Sequence, residues 1–171
     1  RETEAALVVQ EAQLTTARRG AASEAAILTI QSNLANTYDM LGRHSDALPI
    51  LLHVYSGRLK INGEEHRATL GACTNVAVTL CTLRRFEEVK SLLRRTIPVT
   101  RRVLGDSDEI TLKMRRAYAG ALYQDANATL DDLSEAVTTL EDTARIVRRV
   151  FGGAHPGTIE IEGDLKAARK T

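Results

Sequence analysis

The chain has 171 residues, of which 43% are hydrophobic and 26% charged, and its 23 basic and 22 acidic side chains leave a formal net charge of +1. That composition belongs to a folded chain and excludes a disordered one, while the even charge removes the overall basic excess that drives non-specific binding to nucleic acid. No apolar run approaches the roughly 18 residues needed to span a membrane.

Helical spacing of apolar residues predicts eight helices, over 3–19, 23–41, 44–61, 66–82, 86–104, 108–123, 130–151 and 156–169. Arg1 to Glu4 is charged and reads as a helix already under way, which predicts a fragment or processed chain. The short turn after the second helix is Leu41-Gly42-Arg43, with Gly as a C-cap. Longer helices are expected to stop at Gly63, Gly105 and Gly152 and to restart at Glu64-Glu65-His66, Asp106-Ser107-Asp108 and Ala154-His155-Pro156. Asp and Ser there are ready N-caps, and Pro156 suits a first helical turn. Pro49 falls near the start of its helix, whereas Pro98 is internal and is expected to kink it. Cys73 and Cys81 lie eight residues apart on one helix, so about 12 Å separates them, beyond the ~7 Å a disulfide spans. Two unbridged thiols fit a reducing, intracellular compartment, the cytoplasm or an organelle reached by loss of a transit peptide.

Internal similarity organises these elements. Sliding the chain by 42 residues lays 27–68 on 69–110 without a gap: Leu28 meets Leu70, Asn33 meets Asn75, Thr37 meets Thr79, Leu51 meets Leu93 and Gly63 meets Gly105. A third copy begins at Thr111-Leu112, and its register then jumps by five within Gln124–Leu130, where a loop absorbs an insertion cheaply. After the jump Arg101-Arg102-Val103-Leu104-Gly105 becomes Arg148-Arg149-Val150-Phe151-Gly152. A period of this size means stacked helix pairs. The expected organisation is one repeat domain, 1–171: a partial repeat over 1–26, repeats over 27–68, 69–110 and 111–157, and a partial repeat or capping helix over 158–171.

The run Asn33-Leu34-Ala35-x-x-Tyr38-x-x-Leu41-Gly42-Arg43-x-x-x-Ala47 resembles the tetratricopeptide consensus. The 42-residue period, with Gly152-x-x-His155-Pro156-x-Thr158 at the restart, is similar to the kinesin light chain type. The resemblance implies an all-α, right-handed solenoid of antiparallel helix pairs whose concave face, lined by the first helix of each pair, binds a partner. Groove positions implied in this way are Asn33, Asn36, Asn75, Lys113, Arg116 and Tyr123. Asn amides offer donors and an acceptor to a peptide backbone, and Lys113 and Arg116 suit a carboxylate. Some family members hold a peptide's terminal carboxylate in a clamp of Lys, Asn, Asn, Lys and Arg. Asn36, Asn75 and Lys113 match it, but Ser32 and Ala117 stand where Lys and Arg are expected. The pattern also departs at Pro49 and Gly57.

The expected function is a non-catalytic scaffold or adaptor for a protein or peptide. Its main rival is a structural subunit fixed in a larger assembly through its convex face or open ends. A third reading, an RNA-binding repeat, rests on the paired arginines Arg84-Arg85, Arg94-Arg95, Arg101-Arg102, Arg115-Arg116 and Arg148-Arg149; nearby acids favour solvated faces and ion pairs instead. His44, His53, His66 and His155 lack metal-ligand spacing, and His66 and His155 share a structural position before a first helix. Glu162 and Asp164 are expected to lack a partner group. With no phosphate loop, nucleophile elbow or carboxylate pair beside a base, neither cofactor, metal nor small-molecule substrate is expected.

Overall fold

The computed structural model describes residues 2–171, with side chains from Glu4 onward; Arg1, part of the expected first partial repeat, lies outside the described residues. Eight helices are described: α1 (Glu2–Arg19), α2 (Glu24–Met40), α3 (His44–Asn62), α4 (Arg67–Thr82), α5 (Phe86–Leu104), α6 (Glu109–Tyr123), α7 (Leu130–Phe151) and α8 (Pro156–Ala168). Each lies within about one residue of its predicted bounds. The chain forms two compact units, 1–83 and 84–171. In the first, α1 packs on α2, α2 on α3 and α3 on α4; in the second, α5 packs on α6, α6 on α7 and α7 on α8.

Backbone conformation explains the repeating glycines. Gly63, Gly105 and Gly152 end α3, α5 and α7 with φ of 81°, 89° and 84° and ψ of 172°, 165° and 165°. That combination is open essentially to glycine alone, so the long helices stop where the sequence supplies one. The next helix starts on a repeating cap. His66 Nδ1 accepts from the Ala68 N–H, Asp108 from Ile110 and His155 Nδ1 from Gly157. The two histidines are therefore N-caps. Three residues beyond each cap is a buried threonine. Thr69 donates its hydroxyl to the Arg58 carbonyl and Thr158 to the Gly152 carbonyl, whereas the Thr111 hydroxyl is buried without a partner.

Cores are built from small aliphatic residues, as the shortage of aromatics requires. Leu28, Val54 and Ala72 pack together in the first unit, with Ile50 and Tyr55 against them. Gly57 belongs to this contact: a Cβ there would stand 2.8 Å from both δ-carbons of Leu28. That explains a glycine inside α3 where the repeat pattern would place a good helix former. Helix α5 continues unbroken through Pro98.

The five-residue insertion forms the α6–α7 loop, and a buried lysine fixes it. Lys90 of α5, 7% exposed, donates to the Asp125 carboxylate at 2.9 Å and pairs with Glu87. Asp125 also accepts from the Asn127 N–H at 2.9 Å, and Thr129 with Asp132 closes a capping box on α7. Burial pulls the Lys90 ammonium down, but its hydrogen bonds to Glu87 and Asp125 outweigh that and its pKa ends above the ordinary value. Hydrogen bonds from the Asn127 N–H and then Lys90 hold the Asp125 carboxyl below its usual range.

Cys73 and Cys81 form no disulfide, as their helical separation requires. Burial pushes the Cys81 thiol up to about 11, which makes it a poor nucleophile at neutral pH.

Candidate functional site

In the first unit, helical spacing places Asn33, Asn36 and Met40 on one face of α2 and Asn75 and Val78 on α4. Asn33 and Asn36 are exposed, Asn75 is half-buried, and the Asn75 amide donates to the Asn36 carbonyl oxygen at 3.4 Å. The length of that bond marks it as weak, so either amide can turn to a better partner at little cost. Met40 at 78% exposure and Val78 at 46% are uncovered apolar groups on the same two helices. Asn33 and the Asn36–Asn75 pair thus make a short amide strip beside apolar surface. Asp39, on the same helix, is committed inward: it accepts from the Thr79 hydroxyl at 2.7 Å and lies 2.9 Å from His44 Nδ1.

The second unit treats its three expected residues differently. Arg116 Nε donates to Asp164 at 2.6 Å and its Nη1 pairs with Glu160, both on α8. Tyr123 Oη lies 3.5 Å from the other Asp164 oxygen and accepts from Gln124 at 3.0 Å. Lys113 pairs along its own helix with Glu109 at 2.7 Å. Glu162 and Asp164 therefore have partners, against expectation: Asp164 takes Arg116, and Glu162 takes Arg148 of α7. One residue on a terminal helix, viewed alone, does not reveal a cation supplied by a neighbouring helix. Although burial opposes it, the hydrogen bond that Arg116 donates to Asp164, and then the charges of Asp164 and Glu160, hold the Arg116 pKa above its ordinary value.

Beside Arg116 is a cavity of about 480 Å3 lined by Leu112, Val147, Phe151 and Ile161, with Lys113 and Glu160 at its polar edge. Phe151 stacks on His155 with ring centroids 4.8 Å apart.

A second cleft, of about 280 Å3, lies among α5, α6 and α7. Arg94, Arg101 and Arg115 converge on it with Tyr118, Glu135, Thr139 and Asp142. Arg94 donates to Tyr118 Oη at 2.9 Å, and Arg101 to Asp106 at 2.5 Å. Arg115 is different: its side chain is 10% exposed, and the nearest carboxylates, Asp142 and Asp106, stand at 3.7 and 4.0 Å. Both distances exceed hydrogen-bond length. Burial pulls the Arg115 guanidinium below its ordinary value, Arg101 adds like-charge repulsion, and the two carboxylates offset only part. The sequence carries a signal for it: Leu112, Arg115, Ala119 and Leu122 fall at helical spacing, which puts an arginine on the buried stripe.

Among the described residues no group of three or more His, Cys, Asp or Glu side chains could hold a metal ion, and no helix is long and apolar enough to cross a membrane.

The tetratricopeptide-repeat family pattern matches residues 27–68 and 69–109, close to the bounds of the first two whole copies. Curated protein sequences give no match. Among solved structures, the chain is similar to a kinesin-light-chain-type protein of Podosopora anserina with nearly identical TPR-like repeats, at TM-score 0.77, 19% identity, and coverage of 98% of this chain and 78% of that one. A variant of that protein gives TM-score 0.79, 19% identity and coverage of 98% and 77%. BtubC (BKLC) from P. vanneervenii gives TM-score 0.80 at 17% identity, over 99% of this chain and 66% of that one. The eight-helix order, the repeated caps and glycine stops, the matched repeats and these likenesses agree: residues 27–109 are tetratricopeptide repeats, and the chain has the all-α, tetratricopeptide-like solenoid fold seen in those kinesin-light-chain-type structures.

Proposed function

We propose that the protein is a non-catalytic scaffold or adaptor that holds a segment of a partner protein against the first helices of its repeats. Tetratricopeptide repeats mediate protein–protein contacts; the face and residues used here are our reading. The observation that carries it is the Asn36–Asn75 amide pair, at 3.4 Å, beside uncovered Met40 and Val78. An extended segment needs acceptors and donors for its backbone and a dry surface for alternate side chains, and this strip supplies both. In the second unit Lys113, Arg116 and Tyr123 suit an acidic group of a partner. Arg116 joins only by exchanging Asp164 or Glu160 for a ligand carboxylate, so the amides supply more of the affinity than the cations do.

The test is a pull-down from the native source, with the chain as bait. Asn36→Ala combined with Asn75→Ala is expected to lose the captured partner while circular dichroism stays unchanged. Lys113→Ala with Arg116→Ala is expected to weaken capture less. Full retention by the asparagine double variant would move the function away from this face.

Exposed apolar groups on α1 (Val8, Val9) and on α7 and α8 (Leu130, Phe151, Ile159) support a second reading, a subunit fixed in an assembly. That reading predicts an isolated chain that self-associates in light scattering and becomes monodisperse when a neighbour is co-expressed.

A further inference from the structure

We infer that the cleft among α5, α6 and α7 is a binding site for one carboxylate, an Asp or Glu side chain of a partner protein, received by the Arg115 guanidinium.

The inference goes beyond the amide strip and does not rest on it. Its first ground is the state of Arg115. A guanidinium has five N–H donors in a planar fork, and burying such donors without acceptors is costly. Arg115 is nine-tenths buried, yet no group among the described residues accepts a hydrogen bond from it, and its two carboxylate neighbours stop at 3.7 and 4.0 Å. Its donors therefore open on the cleft rather than on a protein acceptor. Neighbouring pairs show why the chain does not satisfy it. Asp106 is drawn to Arg101 at 2.5 Å, and Asp142 to Arg145 at 3.2 Å, so each carboxylate near Arg115 is held by another arginine.

The second ground is space and complementary donors. The cleft has about 280 Å3, enough for a side chain with its carboxylate. Thr139 lines it with a hydroxyl that donates to nothing among the described residues. Arg94 and Arg101, both more than half exposed, stand at its rim and leave it open to a ligand from solvent.

Charge selects the class of ligand. Three guanidiniums line the cleft against two carboxylates, Glu135 and Asp142. Adding flanking Arg145, Asp106 and Asp132 makes the neighbourhood even, so no broad positive field gathers polyanions. A phosphate dianion would meet Glu135 and Asp142 with two charges. A carboxylate meets them with one, and its two oxygens match two parallel N–H bonds of the fork.

Arginine side-chain NMR on the full chain tests this by following the Arg115 Nε–Hε signal. The probes are N-acetyl-glutamate N-methylamide, its glutamine counterpart and inorganic phosphate. The glutamate probe should move the signal saturably, the glutamine probe should not, and phosphate should bind more weakly. Arg115→Gln should weaken the glutamate probe about tenfold or more, read from shifts of neighbouring amides. Because that variant removes a buried group, Thr139→Val provides a second reading and should weaken the probe several-fold with the fold intact. Asp142→Asn separates the site from an internal ion pair. A ligand site loses a competing carboxylate and binds the probe more tightly, whereas an internal pair loses thermal stability with no gain in binding. The inference is overturned if the glutamine probe acts like the glutamate probe, if phosphate binds more tightly, or if Asp142→Asn destabilises without tightening.

Discussion

Thr111 and Thr158 occupy one repeat position, yet their hydroxyls have opposite fates. Thr158 satisfies the Gly152 carbonyl at 2.8 Å, and Thr111 is buried without a partner. Replacing a bonded hydroxyl strands its acceptor, whereas replacing an unbonded one removes a buried polar group. Thr158→Val is therefore expected to cost about 1 kcal/mol and Thr111→Val to stabilise by about as much; equal shifts in chemical denaturation would contradict this. Gly57 gives a second residue-scale test. Alanine there gains about 1 kcal/mol of helix propensity, but its Cβ falls 2.8 Å from two carbons of fully buried Leu28, and overpacking costs about 1–3 kcal/mol. Gly57→Ala should lower the melting temperature, although the same change at an open helix site would raise it. Only the helical position of Gly57 is readable in the sequence, because the reason for it comes from the neighbouring helix.

Among the elements, the α6–α7 loop shows what the repeat register does and does not disclose. The five-residue jump places the insertion within Gln124–Leu130, and the observed loop lies there. Its anchor was hidden, because Lys90 reads as one charge in the Glu87-Glu88-Val89-Lys90 run. In the structure it lies on the buried stripe of α5 and reaches Asp125. The linkage fixes a pH dependence. Asp125 has a folded pKa below its ordinary value of 3.8, so its contribution is present above that value and is lost as pH falls through the folded pKa. Asp106, held down chiefly by Arg101, and Asp132, held down chiefly by the Thr129 N–H, act in the same direction. Lys90 has a raised pKa, so its contribution is present below 10.5 and fades as pH rises through the folded value. Stability should therefore fall below about pH 4, and Asp125→Asn should flatten that acid limb while costing about 1–2 kcal/mol at neutral pH. An unchanged acid limb would contradict the role of this pair.

For the molecule as a whole, fold and function are legible to different depths. Repeats are written in short-range signals, namely apolar spacing, cap residues and glycine stops, and each specifies its own stretch of backbone. The groove positions expected from the repeat follow from sequence position alone, but the engagement of their side chains does not. Exposed Asn36 and half-buried Asn75 keep weakly engaged amides, whereas Arg116 is held by Asp164 and Glu160 from more than 40 residues along the chain. Arg115 and Arg116 look alike as a pair in sequence, and one helical step divides them into a largely buried cation whose carboxylates stand at 3.7 and 4.0 Å and a cation hydrogen-bonded to Asp164. The central claim is that a partner lies on the amide strip, and the two methionines offer its most direct test. Met40 lies exposed beside the strip and Met114 is fully buried, so the second serves as an internal control. The measurement is the rate of Met40 oxidation by dilute peroxide, read by mass spectrometry, with and without the captured partner. The account predicts that the partner slows Met40 oxidation several-fold and leaves Met114 unchanged, and that Asn36→Ala with Asn75→Ala abolishes the protection. Oxidation of Met40 at the same rate in the bound complex as in the free chain would contradict it.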